Sequence, residues 1–206
     1  MTRRILVWDL PTRVFHWLQV LSFGFAYLNA FSERMRNYHV ALGYILLGLL
    51  VFRLLWGFIG TRYARFGSFL FNPRQISSYL LSLFRGKPEH YLGHNPAGSV
   101  AVWLLLALGL FVCTTGVMAL QDDASDFVVD MHGLVTNVML GVIALHLVGV
   151  LVSSIVHREN LVRSMISGCK SAESEAGVPR AYSWLGVLIV AAVILFWFAY
   201  VRRPLG

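Results

Sequence analysis

The chain has 206 residues, of which 57% are hydrophobic and 13% charged, with a mean hydropathy of +0.67 and a formal net charge of +7 at pH 7. An ordinary soluble domain is only about 45–50% apolar, so this composition excludes one and predicts an all-α integral membrane protein. The positive charge calls for no nucleic-acid partner, because basic inner loops set membrane topology and touch anionic lipid.

A hydrocarbon core of about 30 Å takes about 20 apolar residues as a helix. Stretches of that order run over about 14–31, 39–60, 99–120, 132–156 and 183–201, which predicts five transmembrane helices. The first follows Arg3 and Arg4 and has the outline of a signal peptide. It is nevertheless long, contains His16 and ends without a small-residue cleavage site, so it reads as a retained helix. The second carries His39 near its start and Arg53 fourteen residues later; the third contains Cys113; the fourth carries His132 and His146; the fifth lies outside a four-helix core. Residues 1–168 read as one transmembrane domain, and 169–206 as an inner loop with the fifth helix.

Lys and Arg in short loops set orientation. With the N-terminus inside, the inner segments hold Arg3, Arg4, Arg13, Arg62, Arg65, Arg74, Arg85, Lys87, Arg158, Arg163, Lys170 and Arg180, against Arg34, Arg36, Arg202 and Arg203 outside. The N-terminus is expected on the cytoplasmic side. Cys113 and Cys169 fall in a membrane helix and an inner loop and are not expected to pair. The chain has no C-x-x-C-H, which excludes covalent c-type haem attachment.

The histidines carry the chemistry. A helix rises about 1.5 Å and turns about 100° per residue, so the fourteen residues from His132 to His146 cover roughly 21 Å and return to nearly the same face. In the expected topology His39 lies at the outer depth of His132, and His16 at the inner depth of His146. Imidazole is costly inside a bilayer without a partner and is a common iron ligand. Two irons, one between His39 and His132 and one between His16 and His146, satisfy all four rings, and any haem here is non-covalent b-type. Arg53 falls at the inner depth, where it either meets a haem propionate or snorkels to the inner headgroups. The glycines 24, 43, 48, 116, 133, 141 and 149 either permit close helix approach or leave room for a flat macrocycle. His90, His94 and His157 read mainly as solvated loop residues, with His94 the one candidate for a quinone site. The acidic stretch Gln121–Asp130 is expected to be an outer loop, either simply solvated or docking a basic partner.

Five stretches carry a family resemblance: Trp8-Asp-Leu-Pro-Thr-Arg-Val-Phe-His-Trp17, His39-Val-Ala-Leu-Gly-Tyr44, Phe52-Arg-Leu-Leu-Trp-Gly-Phe-Ile-Gly-Thr-Arg-Tyr-Ala-Arg65, Gly93-His-Asn-Pro96, and the His132/His146 spacing. Over about residues 5 to 168 the chain resembles the bacterial two-haem cytochrome b proteins, which include nickel–iron hydrogenase cytochrome b subunits and the stand-alone cytochrome b(561). The resemblance implies axial ligation by His16, His39, His132 and His146, with two haem b groups and quinone as substrate. It further implies electron transfer across the bacterial inner membrane between the quinone pool and a periplasmic partner, either a c-type cytochrome or an oxidoreductase subunit. Two other roles fit the same resemblance: a quinone-dependent superoxide oxidase, and the membrane anchor of a hydrogenase-like complex. The fifth helix departs from the family's four-helix core.

Overall fold

The computed structural model describes residues 3–86, 89–172 and 177–202. Lys87 and Arg203, which entered the charge count, lie outside the described residues. The fold is helical: α1 (Leu10–Asn29), α2 (Arg36–Ile59), α3 (Pro73–Phe84), α4 (Pro96–Met118), α5 (Asp126–Val156), α6 (Leu161–Ser167) and α7 (Ser183–Val201), with two short strands, β1 (Arg3–Leu6) and β2 (Cys169–Ala172).

Caps decide where the helices begin. Asp9 is the N-cap of α1 and accepts the Thr12 N–H at 2.8 Å, with a proline in the first turn; α1 therefore starts four residues before the apolar run. Asn95 caps α4 by accepting the Gly98 N–H at 2.7 Å. Asn72 and Gln75 form a reciprocal capping box around Pro73, the arrangement that satisfies two orphan N-terminal groups at once. It launches α3, a helix absent from the apolar-run reading. Helix α5 begins at Asp126, not at His132. Half of the expected acidic loop is thus helix, with Asp126 in the first turn, where a carboxylate complements the helix dipole.

The segment Glu33–Ile59, α4, α5 and α7 are each long and apolar enough to cross a membrane. Lipid tails are as apolar as leucine, so packing between such helices depends on close fit. In α2 the buried positions Leu42, Ile45, Leu46, Leu49, Leu50 and Arg53 recur every three or four residues and form one stripe. Gly109 of α4 lies so close to Leu50 that a Cβ there would sit 3.1 Å from its methyl group. Helix α1 packs on α2, α2 on α4 and α4 on α5, while α7 lies against α1 and α2. Helix α5 is held mainly by α4 and buries only Val135, Met139 and Ser153.

The end of the bundle where α1 begins is closed by a floor. Strands β1 and β2 pair antiparallel, Arg3 opposite Ala172 and Leu6 opposite Cys169. Gly168, at φ 80°, ends α6 in the left-handed region, and its carbonyl accepts the N–H groups of Val7 and Trp8 at 2.8 and 3.0 Å. Arg13 donates to the Ile166 carbonyl at 2.6 Å and the Trp17 indole N–H to that of Met165 at 3.3 Å. Cys113 and Cys169 are both free.

Candidate cofactor site

The pair expected at the outer depth, called the outer pair below, is His39, early in α2, and His132, in the second turn of α5. Their ring centroids are 6.1 Å apart and their planes lie at 84°. Nδ1–H of His39 donates to the Ala26 carbonyl of α1 at 2.9 Å, and Nδ1–H of His132 to the Val112 carbonyl of α4 at 3.1 Å. These carbonyls select the Nδ1–H tautomer and leave the Nε2 lone pair of each ring free, the arrangement usual in metal-ligating histidines. Two metal–imidazole bonds of about 2.0–2.1 Å, placed end to end, put ring centroids about 6 Å apart. The observed separation of 6.1 Å matches that spacing. Thr115 lies 3.2 Å from Nδ1 of His132, and a Cβ on Gly116 would meet the same ring at 3.0 Å. Gly116 therefore serves close approach, whereas Gly24, Gly43, Gly48, Gly133, Gly141 and Gly149 each have nothing within 4 Å of an added Cβ.

The pair expected at the inner depth, called the inner pair below, is His16 of α1 and His146 of α5. They lie near enough for their charges to interact, and Nδ1 of His16 is buried with no hydrogen-bond partner among the described residues. Around them stand Arg53 and His94. Arg53 is 3% exposed, so its guanidinium does not snorkel; it lies over the rings of Phe66 and Phe69 at 5.0 and 5.9 Å.

His94 is not the solvated loop residue expected. Its ring packs 4.6 Å from Phe69 and 4.9 Å from Trp8. Burial, reinforced by the charge of Arg53, pushes it down to about 3; the imidazole is neutral, with one donor and one acceptor nitrogen. His90 meets Glu159 at 3.2 Å, and Glu159 also accepts from the buried Lys170 at 3.2 Å. Burial lowers the pKa of His157.

Asp9 belongs to the first of the resembling stretches, where sequence reasoning gives it no role. It is fully buried, and Oδ2 accepts the Trp56 indole N–H at 3.1 Å and the Thr61 hydroxyl as well, while Oδ1 caps α1. Its negative charge is felt by Arg53. The signal for it in the sequence is an Asp one residue before a Leu-Pro helix start.

Three of the four candidate imidazoles stand on helices apolar enough to cross a membrane, those of His39 and His132 with their tautomers fixed by backbone carbonyls, and the sequence offers no covalent haem attachment; these features agree with a membrane cytochrome of the b type. The chain belongs to the prokaryotic cytochrome b561 family, whose model matches residues 7–168. It is similar to the probable Ni/Fe-hydrogenase B-type cytochrome subunit of Rhizobium leguminosarum bv. viciae, 24% identical over 80% of this chain and 87% of that one. The protein of the same description from Rhodobacter capsulatus is 22% identical over 83% of each chain, and that from Azotobacter vinelandii 26% over 54% of this chain and 58% of that one. No solved structure gives a significant match.

Proposed function

We propose that this membrane b-type cytochrome holds two haem b groups and carries electrons across the bacterial inner membrane between the quinone pool and a periplasmic redox partner. The observation that carries the reading is the outer pair: two imidazoles on different helices, 6.1 Å apart, each with Nδ1–H engaged and Nε2 free. His39 and His132 hold the outer haem; His16 and His146 hold the inner one. When bound, the haems supply one-electron chemistry, and the chain orients them and sets their potentials through ligands, burial and nearby charge. Arg53 stabilises negative charge at the inner haem. Helix α1, which carries His16 and packs on α2 and α7, is the fifth crossing, and the N-terminus is cytoplasmic.

A second reading gives the chain the place of a membrane anchor in a hydrogenase-like complex. It is favoured by the relatives, each described as a probable Ni/Fe-hydrogenase B-type cytochrome subunit. The aspartates 122, 123, 126 and 130 at the outer end suit a basic partner in either case.

The test is a pyridine haemochrome and reduced-minus-oxidised spectrum of the purified chain with haem counted per protein. Two b-haems are expected, and a colourless protein overturns the reading. Co-purification of a large periplasmic oxidoreductase separates anchor from free-standing carrier.

A further inference from the structure

Two buried nitrogens near the inner pair have no hydrogen-bond partner among the described residues: Nη1 of Arg53 and Nδ1 of His94. Leaving a buried guanidinium N–H unmet costs more than leaving a neutral donor unmet, so two such orphans in one place call for an acceptor. Both side chains border one residue, and the charge of Arg53 reaches His94. The Phe69 ring, 0% exposed, has the Arg53 guanidinium carbon 5.9 Å from its centroid and the His94 ring 4.6 Å away.

The chemistry of the acceptor follows from its surroundings. The guanidinium is cationic and is built to meet a carboxylate. His94 immediately precedes Asn95, the N-cap of α4, and a helix N-terminus adds positive potential there. The nearby anionic groups are otherwise engaged: Asp9 accepts from Thr12, Trp56 and Thr61, and Glu159 is met by Lys170 and His90. His16 and His146 both act electrostatically on His94, so its unpartnered Nδ1 stands beside the inner imidazole pair, and a ring with Nδ1–H would offer a donor there. We propose that Arg53 Nη1 and His94 Nδ1 seat the propionate carboxylates of the inner haem, with His94 a cofactor-binding residue rather than a solvated loop histidine. This rests on the two-haem reading above. Within Gly93-His-Asn-Pro96 the asparagine then starts α4, and the histidine beside it grips the cofactor.

The experiment uses the full-length chain, stripped of haem and reconstituted either with haem or with haem dimethyl ester, whose carboxylates cannot act as anions. The His39→Ala background isolates the inner site. The acid form is expected to bind at least tenfold more tightly than the ester. Arg53→Gln and His94→Phe each shrink that preference several-fold, and the double variant brings it close to one. His94→Phe keeps a ring between Trp8 and Phe69, so packing survives while the donor is lost; His94→Gln, which retains an N–H, restores part of the preference. In the otherwise wild-type protein with both haems, Arg53→Gln lowers the midpoint potential of one haem and leaves the other in place. Equal binding of acid and ester by the wild-type site, or a full preference surviving in His94→Phe, overturns the assignment. So does a loss in His94→Phe confined to binding of a short-chain quinone. A chain that takes up neither form of haem overturns the two-haem reading itself and this inference with it.

Discussion

His39 and His132 approach with ring centroids 6.1 Å apart although they stand on helices that scarcely pack together: α2 reaches α5 through α4. Their positions are therefore fixed by the carbonyls of third parties, Ala26 on α1 and Val112 on α4. The geometry of this histidine pair is a property of four helices at once.

Single histidine substitutions should sort into two classes. His39→Ala or His132→Ala is expected to remove one haem, and His16→Ala or His146→Ala the other, each leaving about one haem per chain by haemochrome. Loss of both haems from every variant speaks against two independent pairs.

Gly116 is the second handle on the outer site. A Cβ there sits 3.0 Å from Cε1 of His132, so Gly116→Ala should shift the ring by a few tenths of an ångström and alter the low-spin electron paramagnetic resonance signal of the outer haem alone. Gly116→Leu overpacks the same contact and is expected to cost about 1–3 kcal/mol, read by thermal unfolding in detergent. An unchanged signal in Gly116→Ala dissociates the glycine from the ligand.

Asp9 joins the start of α1 to the end of α2. Asp9→Ala removes a helix cap, worth roughly 1 kcal/mol, and leaves the Trp56 and Thr61 donors without their acceptor, a penalty on the order of 1–3 kcal/mol for each buried group left unmet. A fall in stability of roughly 3–7 kcal/mol is expected from these contributions together, with Asp9→Asn milder because its carbonyl still accepts. A loss below about 0.5 kcal/mol contradicts the network.

The haem-free chain should lose stability in acid. His94 is held neutral in the fold, at about 3, whereas in the unfolded chain it titrates near 6.5. Above that value neither state binds the proton and the group contributes no pH dependence. Between about 6.5 and 3 the unfolded state binds it and the native state does not, so stability falls as pH falls, by up to about 1.4 kcal/mol per pH unit. His94→Phe should flatten part of that slope in chemical unfolding curves taken across the range; an identical slope rules His94 out as the source.

The apolar runs make the helices of the bundle legible, and α7 falls on the residues its run marks, Ser183–Val201. What the runs miss lies at their ends and between them. Hydropathy does not register a capping carboxylate, so α1 begins at Leu10; it ignores a capping box, so α3 goes unmarked. The pairing of histidine depths follows from helix rise together with the expected topology, and His39 and His132 stand together in the fold. The burial of His94 is not legible, because it depends on Trp8 and Phe69 arriving from two distant parts of the chain. The fate of Arg53 is undecided in sequence for the same reason: Phe66 and Phe69, which cover it, come from the irregular segment after α2.

The ribbon of β1 and β2 has a bearing on how the protein is made. Its two strands, Arg3–Leu6 and Cys169–Ala172, are far apart in the sequence, and such a pairing waits for the second strand to leave the ribosome and carries the closure entropy of everything between. By then α1, α2, α4 and α5, with all four candidate ligands, have been synthesised. This end of the bundle is thus sealed late in biogenesis, when Gly168 locks onto Val7 and Trp8 and all four candidate ligands have already been made.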